Sequence, residues 1–256
     1  MCTLSLLPRP QGGYLLAMTR DERRTRGVAL PPSPGTSGGR RYLAPRDADA
    51  GGSWIAVDQE GRALCLLNGD VQAPGWQESP GLRSRGELLL DLVACPDVAG
   101  LAEELVERAA ARRLLVRPFQ LVAVERDAGA ATRFQFDGVD LSVERARPPW
   151  IATSNGFDPH GVAVARARQF NAWWAAQGGE PGRGSAVSGE ALLELHRSHV
   201  GLPDDGQLAS FCLHRPLVSS VSVTLVEAGP ERIAMHYQPG PPCQRAPLHE
   251  VSLPWS

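Results

Sequence analysis

The start of the chain is the feature that most restricts its fold. Two short apolar runs, CTLSLL and YLLAMT, are separated by PRPQGG. Gly12 and Gly13 supply the residues that a tight turn between two strands needs, so the pattern predicts a β-hairpin. SWIAVD and RALCLLN predict a second hairpin, and FQLVAVERD, TRFQFDG, WIATSN, SFCLH, SSVSVTLVE and RIAMHY predict further strands. Strands joined largely by hairpins form antiparallel sheets.

Helical patterns interrupt the strands in two places. PDVAGLAEELVERAAARR has an apolar stripe at helical spacing, and Asp97 is placed to cap its start. HGVAVARARQFNAWWAAQ and GEALLELHRSH predict a second helical region. Helices that alternate with hairpin-linked strands must cover the sheet faces, so the chain is predicted to be α+β, with two packed sheets and helices outside them.

We expect residues 1–256 to form one domain, because a chain of this length can bury a large core. Residues 22–52 are rich in Pro, Gly and Arg and have neither a helical nor a strand period. The sequence therefore predicts a long loop at about 22–52, of a length that is usually functional or mobile.

Composition excludes several classes of function. The formal net charge is -2 and all 26 basic residues are arginine, which gives no reason to expect nucleic acid as a partner. Five widely spaced cysteines do not form a disulfide framework, and a reducing compartment fits them. No apolar run is long enough for stable membrane insertion. We expect a cytoplasmic protein that acts on a small molecule.

The predicted second strand of the first hairpin brings charged residues next to Cys2. Antiparallel pairing around PRPQGG makes opposed residue numbers sum to about 21, which places Cys2 opposite Thr19 and beside Arg20 and Asp21. A guanidinium makes a thiol more thiolate-like, and removal of Met1 would leave an α-amine that can act as a general base. Asp21 could orient that amine. The alternative is a salt-bridged loop after a strand, with Cys2 filling the core.

Four motifs in order, MCTL, LLAMTRDE, GGSWIAVDQEGRALCLLN and TSNGFD, resemble the NRDE family, which is the family of the transport and Golgi organisation 2 protein. The family is similar to the N-terminal nucleophile hydrolases. The resemblance implies a four-layer αββα sandwich with Cys2 as the first mature residue and the catalytic nucleophile.

The resemblance also suggests site residues. TRDE matches the family motif except that Thr19 replaces Asn, so Arg20 and Asp21 carry over as catalytic candidates. Asn68, after CLL, and Asn155, in TSNG, match family asparagines and are candidates for contacts to the oxyanion or the substrate. Each also suits an ordinary turn before glycine.

Two further residues are substrate-binding candidates. Arg215 is the nearest substitute for a late arginine of the hydrolases, and Trp173 lines a pocket or packs in the core. Cys212 and His214 alternate on a predicted strand and, with His236 or Cys243, could bind zinc, copper or haem iron. Their spacing matches no metal motif, so no metal site is predicted.

Two functions remain open. The first is an amidohydrolase-like or acyl-transfer enzyme that uses the N-terminal cysteine against a small amide, thioester or ester and needs no cofactor. The second is a non-catalytic binder or carrier of haem or acyl lipids in a hydrolase-like pocket, because a fold does not fix a function.

Overall fold

The computed structural model describes residues 2–71, 76–126, 130–154, 158–180, 184, 186–199 and 209–254. These residues contain strands and helices in the alternating order that the sequence predicts. The strands are β1 (Cys2–Pro8), β2 (Tyr14–Arg23), β3 (Leu30–Ser37), β4 (Arg40–Arg46), β5 (Ile55–Asp58), β6 (Ala63–Asn68), β7 (Phe119–Val124), β8 (Ala131–Phe136), β9 (Leu141–Ala146), β10 (Trp150–Ser154), β11 (Val218–Ala228), β12 (Arg232–Pro239) and β13 (His249–Pro254). The helices are α1 (Arg85–Leu92), α2 (Val98–Ala110), α3 (Pro159–Ala176), α4 (Gly189–Arg197) and a 3-10 turn at Pro242–Gln244.

The strands form two sheets. One has six strands in the order β10-β1-β2-β11-β12-β13, and the other has seven in the order β3-β4-β5-β6-β7-β8-β9. The described residues divide into two compact units, the first within 2–26 and 148–252 and the second within 27–126, 130–147 and 253–254. The α+β class and the antiparallel sheets predicted from the sequence are confirmed.

In the first unit, α3 and α4 pack on one face of the six-stranded sheet. Asp158 and Ser188 cap these helices with side chains that accept from backbone N–H groups. The core between helices and sheet consists of Leu7, Leu15, Ala17, Phe170, Trp174, Leu192, Leu193, Leu195, Phe211, Val223 and Leu225. The odd-numbered residues of β1 and β2 therefore face the helices, and the even-numbered ones point to the other face.

In the second unit, α1 and α2 pack on the seven-stranded sheet. Asp97 accepts from the N–H of Gly100 at 2.8 Å, which confirms the predicted cap of α2. The apolar stripe of α2 buries Val98, Leu101 and Leu105 in the core of this unit. None of the helices in the described residues is long and apolar enough to cross a bilayer.

The first hairpin forms as predicted, but its register differs by one residue. Pro8 pairs with Tyr14, so opposed residue numbers sum to 22 and Cys2 lies opposite Arg20, not Thr19. The reason is the turn: the N–H of Arg9 donates to the carbonyl of Gly13 at 3.2 Å, so the ladder continues through Pro8.

The predicted loop at 22–52 was wrong in its middle, where β3 and β4 form a hairpin. β3 is an edge strand, where Pro31, Pro32 and Pro34 are tolerated because a missing N–H there need not break a ladder. Gly38 and Gly39, with φ of 54° and 82°, make the hairpin turn.

A second correction concerns SFCLH. Residues 211–217 form no strand in the structure, and only an isolated bridge links His214 to Ser219. Cys212 and His214 are therefore not neighbours on a strand face. The sequence also gave no sign of β9 and β13, whose residues are mostly exposed and lack a clear apolar alternation.

Candidate active site

A row of four side chains crosses one face of the six-stranded sheet. Cys2 of β1 is paired with Ser154 of β10 on one side and with Arg20 of β2 on the other, and Arg20 is paired with Ser222 of β11. Directly opposed residues of antiparallel strands point to the same face. The sheet register therefore makes the side chains of Cys2 and Arg20 neighbours on one face.

Cys2 is held at the start of β1. Its backbone N–H donates to Oγ of Ser154 at 3.0 Å, and its side chain is buried. Ser154 is a site residue that the sequence analysis missed. The available signal was its place directly before Asn155 in the TSNG motif.

Burial is the largest influence on the charge state of Cys2. Burial raises the pKa of the Cys2 thiol above its ordinary value, and this outweighs the opposite effect of the Arg20 charge. Asp21 raises the pKa further. The thiol is therefore protonated at neutral pH, because desolvation disfavours the charged form more than one guanidinium favours it.

Arg20 is itself buried, with 5% of its surface exposed. Its Nη2 donates to Oε2 of Glu22 at 3.4 Å. The positive charge of Arg20 also acts on the buried Tyr237 of β12, whose pKa is raised by its burial. Tyr237 was not predicted as a site residue, although the alternation of RIAMHY places it on a buried face.

Asp21 lies on the helix-facing side of the sheet, because it alternates with Arg20 along β2. Its Oδ1 accepts from Oγ of Ser220 at 2.5 Å. Burial raises the pKa of the Asp21 carboxyl, while the charge of Arg166 acts to lower it. The structure thus brings Cys2, Arg20 and Asp21 to the same end of neighbouring strands.

Beneath this site, buried polar groups join β1 and β2 to the helices. Arg166 of α3 is fully buried, and its Nη1 donates to the hydroxyls of Thr3 and Thr153, both at 2.6 Å. Its Nη2 donates to the carbonyl of Ser210 at 2.8 Å. These bonds fix the first strand from its helix side.

His196 of α4 completes this layer. Its Nδ1 lies 2.7 Å from Oγ1 of Thr19 and its Nε2 lies 2.9 Å from Oγ of Ser5. Burial lowers the pKa of His196 to about 3, so the ring is neutral. Thr19, which replaces the asparagine of the family motif, therefore bonds to His196 on the helix side of the sheet.

The other predicted site residues lie elsewhere or outside the described residues. Asn68 ends β6 in the second unit and is exposed, and Asn155 lies outside the described residues. Trp173 packs beside Phe170 with ring centroids 6.0 Å apart. Arg215 accepts at its carbonyl oxygen from Nε of Arg24 at 2.9 Å. Their roles in binding or catalysis stay predictions.

Comparison with known proteins bears on the family and the fold of the chain. Residues 1–233 match the family described as Transport and Golgi organisation 2. No curated protein matches the chain.

Among solved structures, penicillin V acylase from Agrobacterium tumefaciens is similar over 93% of this chain and 83% of its own, with a TM-score of 0.54 and 13% identity. An N-acylethanolamine-hydrolyzing acid amidase ortholog from Caenorhabditis elegans covers 90% of this chain and 93% of its own, with a TM-score of 0.51 and 9% identity. A mutant conjugated bile acid hydrolase from Clostridium perfringens covers 98% and 92%, with a TM-score of 0.51 and 11% identity. These similarities confirm the predicted N-terminal nucleophile hydrolase fold.

Proposed function

The chain belongs to the Transport and Golgi organisation 2 family, and we propose that it is an amidohydrolase-like or acyl-transfer enzyme in which the Cys2 thiol attacks a small amide, thioester or ester. The observation that carries the proposal is the direct pairing of Cys2 with Arg20 on one face of the sheet. The likeness of the fold to hydrolases that act on amides supports it. A thiol beside a fixed cation is the arrangement that nucleophilic catalysis needs.

The mechanism begins with removal of Met1, which converts the backbone N–H of Cys2 into an α-amine. Ser154 already accepts from this nitrogen, so it would hold the amine in place. Because burial keeps the thiol protonated, the reaction requires a base. An α-amine has a pKa of about 7.7–8.0 and can take the thiol proton near neutral pH.

In the first half-reaction, sulfur bonds to the carbonyl carbon of the substrate as the thiol proton passes to the α-amine. The Arg20 guanidinium stabilises the oxyanion that develops. When the oxyanion collapses, the bond to the leaving nitrogen, sulfur or oxygen breaks and the ammonium returns its proton to that atom. A thioester on Cys2 remains.

In the second half-reaction, water or an acceptor attacks the thioester, with the α-amine again taking a proton, and the thiol of Cys2 is released. Asp21 is proposed to orient the ammonium form of the amine through its charge. Asn155 is proposed as an additional donor to the oxyanion and Arg215 as a substrate contact, while the roles of Asn68 and Trp173 stay predictions. All five cysteines are free thiols, which supports a proposed cytoplasmic site of action.

A second candidate function is a carrier of haem or acyl lipids. The burial of Cys2 favours it, because a neutral thiol with 7% of its surface exposed also suits the wall of an apolar pocket. A carrier would bind its ligand without covalent chemistry.

The test compares wild-type protein with Cys2→Ser and with Cys65→Ser, a matched control at a cysteine that is fully buried in β6. Each protein is made in cells with normal methionine processing and its intact mass is measured. Each is then treated with an electrophilic acyl analogue, assayed against simple amides, thioesters and lactones, and titrated with haem.

We expect loss of Met1, with labelling and turnover in the wild type and in Cys65→Ser but not in Cys2→Ser. Retention of Met1 would rule out the amine mechanism. If no substrate turns over, no acyl-enzyme forms and haem binds all three proteins equally, the carrier function replaces the enzyme.

A further inference from the structure

Two cysteines and two histidines converge in the first unit, away from the Cys2 thiol. One ligand atom from each of His199, Cys212, His214 and Cys243, a ring nitrogen or a sulfur, lies within 4.8 Å of the other three. His214 Nε2 lies 3.2 Å from Sγ of Cys243 and 3.6 Å from Sγ of Cys212. These nitrogen and sulfur atoms are potential metal ligands, and the chemistry proposed for Cys2 uses none of them.

We propose that these four residues form a tetrahedral zinc site. Zinc binds cysteine sulfur at about 2.3 Å and histidine nitrogen at about 2.0–2.1 Å. In a tetrahedron these bond lengths separate a sulfur from a nitrogen by about 3.5 Å, close to the two distances that His214 makes with the cysteines. Two thiolates balance the charge of the ion, and their two protons leave to solvent as the metal binds.

The backbone around the cluster is already organised to present these ligands. The ring nitrogen Nδ1 of His199 lies 3.1 Å from the carbonyl oxygen of Cys212. Since a carbonyl only accepts, Nδ1 carries the proton, and this leaves the lone pair on Nε2 for a metal. A backbone carbonyl that fixes the tautomer of a histidine ligand is typical of zinc sites.

The segment that carries Cys243 is fixed as well. Gln238 donates from Nε2 to the carbonyls of Pro241 and Pro242, at 3.2 and 2.9 Å, and so holds the 3-10 turn that contains Cys243. Arg245, with φ of 52°, ends this turn in the left-handed conformation. His236, which the sequence offered as an alternative ligand, instead faces Glu250 with 3.8 Å between its Nδ1 and Oε2.

The position of the cluster gives the ion a structural role. The N–H of Leu213, between Cys212 and His214, donates to Oγ of Ser220 at 2.8 Å, and the same hydroxyl donates to Asp21. A metal that fixes Cys212 and His214 would therefore fix Ser220 and, through it, the carboxylate of Asp21. Four protein ligands leave no open position, as in structural rather than catalytic zinc sites.

The experiment measures metal in the purified full chain under reducing conditions. Zinc content is determined by elemental mass spectrometry. Co²⁺ is then added to metal-free protein, because tetrahedral Co²⁺ bound to thiolates absorbs visible light strongly at distinctive wavelengths. Variants are Cys243→Ser and His199→Ala, the second at an exposed residue that the fold can lose. Cys95→Ser, at a half-buried cysteine of the second unit, is the matched control.

We expect one zinc per chain and the thiolate bands of tetrahedral Co²⁺ in the wild type and in Cys95→Ser. Loss of a residue that only supports a metal ligand weakens metal binding about 10–100-fold. Each ligand variant should weaken metal binding by at least this factor. Less than stoichiometric zinc together with no thiolate bands in wild-type protein would overturn the proposal. So would a disulfide between Cys212 and Cys243 that persists under reductant, or equal cobalt binding by wild type and both ligand variants. None of these outcomes depends on whether Cys2 is catalytic.

Discussion

Both faces of the six-stranded sheet bury polar groups, but these groups have different roles on the two faces. On the helix side, Arg166 and His196 bond to hydroxyls of β1 and β2 at 2.6 to 2.9 Å, so these charged and polar groups tie strands to helices. On the other side, strand pairing sets Cys2 beside Arg20, the Cys2 N–H donates to Ser154, and Arg20 donates to Glu22. The first arrangement holds the strands in position, while the second places a thiol beside a cation.

The TRDE motif divides between these faces. Because a strand alternates, Thr19 and Asp21 point to the helices and Arg20 points to the side of Cys2. A four-residue motif can therefore both anchor the strand and supply the site. Substitutions on the helix side should mainly change the free energy of unfolding, and substitutions on the other side should mainly change the chemistry of Cys2.

The largest effect is expected at Arg166. Arg166→Met removes a fully buried cation and leaves the hydroxyls of Thr3 and Thr153 without their donor. A buried polar group left without its partner costs about 1–3 kcal/mol, so the loss of several such bonds should total about 3–5 kcal/mol. We expect the free energy of unfolding in urea to fall by this amount, with Arg168→Met, at an exposed position of the same helix, as control. A loss below about 1 kcal/mol would contradict the anchoring role.

His196 should make the helix side sensitive to acid. The folded-state pKa of His196 is about 3, whereas an unfolded histidine titrates near about 6.5. Below that value the unfolded chain binds a proton that the folded chain does not. The stability that neutral His196 provides is therefore fully present above about pH 6.5 and is lost as the pH falls toward the folded-state value.

Linkage gives a loss of about 2 kcal/mol between pH 8 and pH 5 from this residue. His196→Gln keeps a group that can bond to Thr19 and Ser5 but cannot titrate. We expect the variant to be less stable at pH 8 but to show a shallower fall between pH 8 and pH 5 in urea unfolding. Parallel pH profiles for the two proteins would show that His196 is protonated in the folded chain.

Much of this arrangement could be predicted from sequence, because it depends on local patterns. Gly12 and Gly13 fixed the first hairpin, and alternation in YLLAMT placed Arg20 beside the start of β1. The register was one residue off because Pro8, a poor ladder residue, nevertheless pairs with Tyr14. The strand β3 was missed because three prolines hide an edge strand, where they are allowed.

Groups distant in sequence were beyond prediction. Nothing in HGVAVARARQF marks Arg166 as buried rather than solvated, because its partners come from β1, β10 and residue 210. His199 and Cys243 likewise approach Cys212 only through the folded chain. Side-chain types gave candidates, but the packing of separate segments decided which of them meet.

On the other face, Arg20 is expected to act on reactivity. Arg20→Met removes the positive charge that opposes the effect of burial on the Cys2 thiol, so its pKa should rise further. We expect alkylation of Cys2, located by peptide mass spectrometry, to be slower at pH 8 than in the wild type, because a smaller fraction of the thiol is ionised. Arg23→Met, at an exposed position of the same strand, is the control, and equal rates in all three proteins would show that Arg20 does not act on the thiol.

The smallest effect comes from a matched pair of threonines, one on each face. Thr19→Val removes the hydroxyl that lies 2.7 Å from Nδ1 of His196. Because this buried nitrogen then loses its hydrogen-bond partner, the free energy of unfolding should fall by about 1–2 kcal/mol. Thr224 of β11 lies on the face of Arg20, and within the described residues its buried Oγ1 has no hydrogen-bond partner. Valine has the same branched shape, so Thr224→Val should change the free energy of unfolding by less than about 0.5 kcal/mol or raise it.

Urea unfolding followed by tryptophan fluorescence measures both variants on one scale. A cost for Thr19→Val alone would show that hydroxyls on the helix side are part of the structure that holds the strands. Equal costs would mean that Thr224 has a polar partner on the side of Cys2. The Thr224 hydroxyl would then contribute to stability as the Thr19 hydroxyl does, and the contrast between the two threonines would fail.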